Sequence, residues 1–226
     1  MVEHDRQRFD PSTRPCILFD LDGTLLDTRD YIIATATQVL SERGMTAEEM
    51  GDVGRLVGPP FPAGFTIIYG MSEADAQATA ERYRELFRAR GATAYPLFPG
   101  VPEMLGNLAC DGRRLAVTSS RMQALCERFL ADDGVAERFE AIVGKRDPAH
   151  ADKATLVAET LDALGVQPDE AVMVGDRFYD VEGAHAVGVP CVAVLFGTAP
   201  RRELEDAGAE AIVESVAELE RVLRGA

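Results

Sequence analysis

The sequence predicts an α/β protein in which a parallel β-sheet lies between two layers of helices and carries a separate helical insertion. Apolar runs of strand length alternate with amphipathic stretches of helix length from Pro96 onward. One buried strand precedes this region, and roughly 70 residues of helical pattern separate it from the next strand. Alternation of strands and helices is typical of a parallel sheet that is covered on both faces.

The first strand is predicted from the apolar residues Cys16 to Phe19, which begin the stretch "CILFDLDGT". Four consecutive apolar residues are typical of a strand buried on both faces. Asp20 and Asp22 follow at once, and charge at the end of a buried strand is costly unless something offsets it. A solvated acidic turn would also explain two aspartates by themselves, so the rest of the chain must decide between the two interpretations.

Four more apolar runs predict buried strands, and each is followed by a helical pattern. The runs are Arg114 to Ser120, Ala141 to Gly144, Ala171 to Asp176 and Pro190 to Gly197. The stretches between them, such as "ADKATLVAETLDALG", have apolar residues at three-to-four spacing and end at glycine, as helices do. A last pair, "AEAIVES" and "VAELERVLRG", continues the alternation.

The insertion, residues 28–97, contains helical patterns without an intervening strand pattern. The segment "GPPFPAG" interrupts it as a loop, because proline and glycine cannot continue a helix there. An ordinary crossover between strands is much shorter. We therefore predict a helical cap at 28–97, a core formed by 16–27 and 98–226, and a loose tail at 1–15.

Composition narrows the possible partners and location. Hydrophobic residues make up 46% of the chain, which is ordinary for a globular protein. The formal net charge of −15 disfavours nucleic acid and anionic membranes as partners. The four cysteines occur singly, so they predict neither a disulfide framework nor a zinc site. No apolar run approaches a membrane span and the first residues lack the apolar centre of a secretory signal, so we expect a cytoplasmic protein.

Polar residues follow three of the predicted strands. Asp20 and Asp22 follow the first, the stretch from Thr118 to Ser120 ends the second, and Asp176 and Asp180 follow the strand "AVMVG". In an open parallel sheet such strand ends meet at one edge, where ligands bind. Carboxylates gathered there would repel one another without a cation. Oxygen ligands of this kind suit Mg²⁺.

Lysine is scarce in this chain. Lys and Arg total 23, yet Lys145 and Lys153 are the only lysines. A lysine presents a compact charge that suits one phosphate oxygen, whereas arginine presents a planar fork. Both lysines lie before the strand "AVMVGD", and an ordinary surface position is the alternative for each.

These motifs together resemble the haloacid dehalogenase superfamily of phosphotransferases, over nearly all of the chain after the first 15 residues. "DLDGTLLDT" is similar to the family's first motif, "LAVTSS" to the second, Lys153 in "ADKATLV" to the third and "VGDRFYD" to the fourth. The insertion lies where this family places a helical cap on its Rossmann-like core. The phosphoglycolate-phosphatase-like branch, with some 5′-nucleotidase-like members, is the most similar.

The resemblance implies a role for each motif residue. Asp20 would be the nucleophile that forms an aspartyl-phosphate, and Asp22 the general acid and then the general base. Mg²⁺ would be held by Asp20, the main-chain oxygen of Asp22, and Asp176. The phosphoryl oxygens would be bound by Thr118, Ser119 and Lys153. Asp180 would orient Lys153 or a metal-bound water. Gly23 would allow the sharp turn. Many relatives have the lysine in a "KP" pair, which is absent here, so Lys145 stays an alternative to Lys153.

The resemblance also implies a small phosphorylated substrate, either phosphoglycolate or a nucleoside 5′-monophosphate. Gly58 and Phe61 in the insertion are the candidates for contacting its leaving group, together with Arg82 or Arg84, and His150 precedes Lys153 in a loop. The competing interpretations are a phosphomutase, a dehalogenase and a non-catalytic binding protein. Asp22 argues against a dehalogenase, which does not need it. We expect a monomer or homodimer.

Overall fold

The computed structural model describes residues 9–57, 59, 61–89, 96–147 and 152–225. Two compact units share the chain. One comprises the residues up to Leu26 and those from Leu97 onward, and the other comprises Asp27–Pro96. The first unit is the core unit below, and the second is the helical unit.

Six parallel strands form the sheet of the core unit. They are β1 (Cys16–Phe19), β2 (Arg114–Met122), β3 (Ala141–Lys145), β4 (Ala171–Gly175), β5 (Cys191–Val194) and β6 (Ala211–Val213). Their order is β3-β2-β1-β4-β5-β6, so β1 lies between β2 and β4. Phe19 is in register with Val117 of β2 and with Val174 of β4. The predicted α/β class and parallel sheet are confirmed.

The helical unit contains four α-helices and no strand among its described residues. The helices are α1 (Arg29–Glu42), α2 (Ala47–Met50), α3 (Ala63–Tyr69) and α4 (Glu73–Ala89), and a 3₁₀ turn covers Val53–Leu56. Phe65 is fully buried in this unit's apolar core, and Phe61 and Tyr69 pack against it from partly buried positions. These three aromatic residues are thus part of an apolar core of the helical unit's own.

Helices cover the sheet of the core unit. They are α5 (Val101–Cys110), α6 (Gln123–Asp132), α7 (Lys153–Leu164), α8 (Phe178–Ala186), α9 (Arg201–Asp206) and α10 (Val216–Arg224). Val157 of α7 and Val181 of α8 pack on one face of the sheet, against Leu18 and Met173. Elsewhere α5 contacts β2 and α10. No helix in the described part of the chain is long and apolar enough to cross a membrane.

Candidate functional site

The strand order brings the polar ends of β1, β2 and β4 together. Since β1 lies between the other two strands, Asp20 follows it at the centre of the edge, and its N–H donates to the Val174 carbonyl oxygen at 2.8 Å. Asp176 directly follows β4. The parallel register therefore delivers the two aspartates, 156 residues apart in the chain, to neighbouring positions.

Lys153 lies among these aspartates. It is the first residue of α7, whose N-terminus is capped by Asp152, and its side chain is only 2% exposed. The Nζ atom lies 2.5 Å from Asp20 Oδ1 and 2.8 Å from Asp180 Oδ1, and it donates to the Thr118 carbonyl oxygen at 2.7 Å. Lys145 instead ends β3, two strands away from β1. Of the two candidate lysines, the structure places Lys153 in the site.

Electrostatic attraction holds Lys153 in its charged form. Burial lowers the pKa of this ammonium, but attraction to Asp180 and Asp20 outweighs burial, so that its pKa lies above the ordinary value. Removing either carboxylate would leave a buried charge without part of its compensation.

Three buried carboxylates converge at the site. Ligand atoms of Asp20, Asp176 and Asp180 all lie within 4.8 Å of one another. Burial raises the pKa of Asp20 well above its ordinary value, with Lys153 opposing and Asp180 adding to the effect. Burial and then the charge of Asp180 raise the pKa of Asp176 to about 7. Such a cluster is unfavourable in its ionised form unless a cation balances it.

The cluster fits a divalent cation. Asp176 Oδ1 is buried and has no hydrogen-bond partner among the described residues. A buried carboxylate oxygen without a partner is costly, and a metal ion would satisfy it. The donors are carboxylate oxygens, which is the donor type that Mg²⁺ prefers.

Thr198 holds the other oxygen of Asp176. Its N–H and its hydroxyl both donate to Asp176 Oδ2, at 2.7 Å and 2.6 Å. Sequence reasoning missed this residue, because it follows β5 in the loop "FGTAP" and belongs to none of the motifs. The available signal was its position after a parallel strand next to β4, where polar residues reach the same edge.

Gly23 forms a turn directly against Asp176. Its φ is +81°, a conformation that favours glycine, and a Cβ atom there would overlap Asp176 Oδ2. The Gly23 N–H donates to the Leu26 carbonyl oxygen at 2.9 Å. The predicted sharp turn is therefore present, and its own N–H closes it.

Asp22 forms an ion pair with Arg121, which sequence analysis did not single out. Arg121 Nε lies 2.8 Å from Asp22 Oδ2, and Arg121 Nη2 contacts Asp22 Oδ1. The guanidinium carbon also lies 5.0 Å from the centre of the Phe129 ring. The Arg121 side chain is 11% exposed and that of Asp22 is 32% exposed, so solvent screens this two-point contact only in part.

The Thr118 side chain faces α7. Its hydroxyl lies 2.8 Å from the Thr160 hydroxyl, and because Thr160 already donates to the Leu156 carbonyl oxygen, Thr118 is the donor. The hydroxyl thus contacts α7 in this structure, and its binding to a phosphoryl oxygen stays a prediction. Side chains alternate along a strand, so Ser119 points to the opposite face, where its Oγ accepts from the Arg121 N–H at 3.1 Å.

Asp180 joins the lysine to the start of α8. Its Oδ2 accepts from the Arg177 N–H at 3.0 Å and caps the helix, while Oδ1 faces Lys153 Nζ. The resemblance implied that Asp180 orients Lys153 or a metal-bound water, and the contact present here is the one with Lys153.

The remaining candidates lie elsewhere or outside the described residues. Gly58 and His150 fall outside the residues that the structure describes. Phe61 belongs to the helical unit, where its ring stacks on Phe65 with centroids 4.6 Å apart. In the same unit, Arg84 donates to the Phe61 carbonyl oxygen and Arg82 pairs with Glu42.

The fold and these motifs define a class of hydrolase. The chain belongs to the haloacid dehalogenase-like hydrolases, whose family model matches residues 17–194. A 5′-nucleotidase from Pseudomonas aeruginosa is 34% identical over 191 residues, which cover 84% of this chain and 86% of that protein. A phosphoglycolate phosphatase from Caulobacter vibrioides is 32% identical over 205 residues, which cover 88% of this chain and 86% of that protein.

Two further matches span most of the chain. The tyrosine-protein kinase PtkA of Mycobacterium tuberculosis is 34% identical over 194 residues, which cover 85% of this chain and 66% of that protein. The crystal structure of a predicted phosphatase from Clostridium acetobutylicum superposes with a TM-score of 0.83 at 31% identity, covering 95% of this chain and all of that one. The protein is therefore an enzyme of this family, and its relatives over most of its length include phosphatases.

Proposed function

We propose that the protein is a Mg²⁺-dependent phosphatase that hydrolyses a small phosphomonoester through an aspartyl-phosphate on Asp20. The observation that carries this proposal is the buried group of charges at the carboxyl end of β1. Asp20 lies there between Lys153, at 2.5 Å, and the carboxylates of Asp176 and Asp180. The proposed nucleophile, the proposed phosphate-binding cation and the proposed metal-binding carboxylate thus lie close together.

The first half of the reaction transfers the phosphoryl group to Asp20. A carboxylate oxygen of Asp20 forms a bond to phosphorus while the bond to the ester oxygen breaks. Asp22 donates a proton to the departing oxygen. Lys153 and the main chain of Ser119 bind the phosphoryl oxygens in this proposal. Mg²⁺, held by Asp20, Asp176 and the main-chain oxygen of Asp22, would neutralise charge on the transferring group.

The second half releases phosphate. Asp22, now ionised, accepts a proton from water while the water oxygen forms a bond to phosphorus, and the bond to Asp20 breaks. This restores Asp20 as a carboxylate and Asp22 as an acid, so atoms and protons balance over the cycle. Asp180 keeps Lys153 oriented throughout, through the 2.8 Å contact between Oδ1 and Nζ.

Phosphoglycolate and nucleoside 5′-monophosphates are the proposed substrate classes. Relatives named for each of them are at least 32% identical over more than four fifths of this chain. The net charge of −15 disfavours an extended polyanion as substrate. The proposed enzyme is cytoplasmic and acts as a monomer or homodimer.

A panel of phosphate esters tests the proposal. Phosphate release would be measured with Mg²⁺ on phosphoglycolate, several 5′-nucleotides, hexose phosphates and an aryl phosphate. We expect release from at least one small ester and a loss of at least about a thousandfold in Asp20→Asn, because an amide is a poor nucleophile. Activity of Asp20→Asn within about tenfold of wild type would contradict the nucleophile assignment. Lys153→Ala should lose much more activity than its matched control, Lys145→Ala.

The similarity to a tyrosine-protein kinase makes phosphoryl transfer to protein the competing function. The same experiments would therefore include ATP with a tyrosine-containing protein acceptor. Isomerisation of hexose phosphates without phosphate release would indicate a mutase. Transfer to protein without release from any small ester would overturn the phosphatase proposal.

A further inference from the structure

Thr198 contacts the site from outside all four sequence motifs. Both of its donors bond to a single oxygen, Asp176 Oδ2, at 2.7 Å from the N–H and 2.6 Å from the hydroxyl. The second oxygen, Asp176 Oδ1, is buried and has no hydrogen-bond partner in the part of the chain that the structure describes. The two oxygens of one carboxylate thus have different surroundings.

This difference settles the orientation of the carboxylate. Two short hydrogen bonds to Oδ2 oppose rotation of the planar group, because rotation would break both. Oδ1 is then the oxygen left for a ligand. Partners behind a metal-binding carboxylate act in this way in metalloproteins generally, since they orient the ligand before the metal arrives.

The backbone of the loop is built for this contact. A Cβ atom at Gly197 would overlap the Cβ of Asp176 and the carbonyl oxygen of Gly23. Glycine at this position therefore lets the loop after β5 lie directly against the aspartate. Close approach places the Thr198 N–H, and not only its side chain, within hydrogen-bond distance of Oδ2.

We propose that Thr198 is a positioning residue that turns Asp176 Oδ1 toward a bound divalent cation. The proposal rests on the proposed function in that it requires a cation at Asp176. It adds the loop after β5 to the elements that build the site. The competing explanation is structural only, in which Thr198 satisfies a buried carboxylate and has no effect on the cation.

Calorimetric titration of the substrate-free protein with Mg²⁺ separates the two explanations. Thr198→Val removes the hydroxyl and keeps the backbone donor, and we expect it to weaken Mg²⁺ binding about tenfold or more. Thr198→Ser keeps both donors and should bind within about threefold of wild type. In the matched control, Thr155, the N–H and hydroxyl likewise donate to one oxygen of Asp152, both at 3.0 Å, outside the carboxylate cluster. Thr155→Val should leave Mg²⁺ affinity unchanged.

Thermal unfolding of the metal-free variants completes the test. A structural role predicts that Thr198→Val lowers the unfolding temperature while the folded protein binds Mg²⁺ as wild type does, and that result overturns the proposal. Thr198→Ala replaces the valine variant if valine prevents folding, and failure of both to fold also decides for the structural role. Phosphate release from the ester panel is measured separately. Unchanged Mg²⁺ affinity in an active Thr198→Val enzyme would overturn this inference alone, whereas Mg²⁺ binding without any phosphate release would overturn the proposed function.

Discussion

At the scale of single residues, the ion pair with Arg121 sets the orientation of Asp22, the proposed general acid. The guanidinium contacts both carboxylate oxygens, so it restricts the side chain of Asp22 to one orientation. Arg121 lies three residues after Thr118, near the end of β2, where the register of the strand with β3 shifts between Thr118 and Met122. The irregularity lies in the segment that supplies Arg121. An irregular strand re-aims its side chains, and here it directs Arg121 toward Asp22.

We expect Arg121→Leu to affect alkyl phosphates more than aryl phosphates. An alkyl oxygen needs a proton from Asp22 to depart, whereas an aryl oxide leaves without one. Loss of orientation at Asp22 should therefore lower kcat for an alkyl ester at least about tenfold more than for an aryl ester, a difference of about 1.4 kcal/mol in barrier. Kinetics on both esters measure it. Arg114→Leu, which breaks a similar pair with Glu140 at the other end of β2, is the control. Equal losses on both esters would exclude an effect through Asp22.

Asp176 should make stability depend on pH in the absence of Mg²⁺. Its pKa is raised from 3.8 to about 7 by burial and the charge of Asp180. Between these two values the folded state binds more protons than the unfolded state, so the free energy of unfolding falls as pH rises from about 4 to about 7. Mg²⁺ binds the ionised form and should therefore stabilise the protein more at pH 8 than at pH 5.

Thermal unfolding with a chelator or with Mg²⁺, at both pH values, measures this effect. Asp176→Asn cannot ionise and should show a smaller loss of stability with pH and a smaller stabilisation by Mg²⁺. Equal stabilisation of the wild-type protein by Mg²⁺ at pH 5 and pH 8 would contradict the role of Asp176 in the cation site.

At the scale of elements, the position of Lys153 depends on how closely α7 and α8 approach. A Cβ atom at Gly183 of α8 would lie 2.7 Å from the Cβ and 2.8 Å from the Cγ of Lys153, and 3.0 Å from the Ala154 nitrogen. Glycine therefore allows the helices to pack with the lysine stem between them. The stem is directed in this way to Asp20 at the end of β1.

We expect Gly183→Ala to destabilise the protein by about 1–3 kcal/mol, the usual cost of overpacking. In a helix without this contact, alanine would instead stabilise relative to glycine by about 1 kcal/mol. Gly106 of α5 is the matched control, because a Cβ there would approach only the flexible end of Arg138. Denaturant unfolding of both variants measures the effect. A stabilised Gly183→Ala protein with full activity would show that the approach of the two helices does not matter for Lys153.

At the scale of the whole molecule, the resemblance implied that Phe61 of the helical unit contacts the leaving group of the substrate. Phe61 packs with Phe65 and Tyr83 at centroid distances of 4.6 Å and 4.5 Å, so it also stabilises that unit. Phe61→Leu retains apolar bulk and is a better variant than alanine for reading specificity. We expect it to change the ratios of kcat/KM among phosphoglycolate, 5′-nucleotides and an aryl phosphate.

The matched control for Phe61 is Tyr69→Leu, which alters another partly buried aromatic residue of the same apolar core. It should lower stability without changing the ratios among the esters. Identical ratios in Phe61→Leu and wild type would remove Phe61 from the residues proposed to contact the leaving group.

The sequence by itself determined the parallel α/β core and some of the residues that gather at its edge. Buried strands have continuous apolar runs, and polar residues directly after such strands reach the carboxyl edge in any parallel arrangement. For this reason Asp20 and Asp176 could be predicted before their contacts were seen. The contact of Lys153 with Asp180 was implied only by the resemblance to the family, which left Lys145 as an alternative.

Only the tertiary structure decided the direction of individual side chains and the partners that come from distant segments. Thr118 lies on the face of the sheet toward α7, so its hydroxyl bonds to Thr160. The face on which a side chain lies depends on the register of its strand, because a shift by one residue moves it to the other face. Arg121 reaches Asp22 across 99 residues of sequence and Thr198 reaches Asp176 across 22. Neither pairing follows from the spacing of the residues in the sequence, because these contacts arise where neighbouring strands and loops pack together, and their geometry is set by the sheet as a whole.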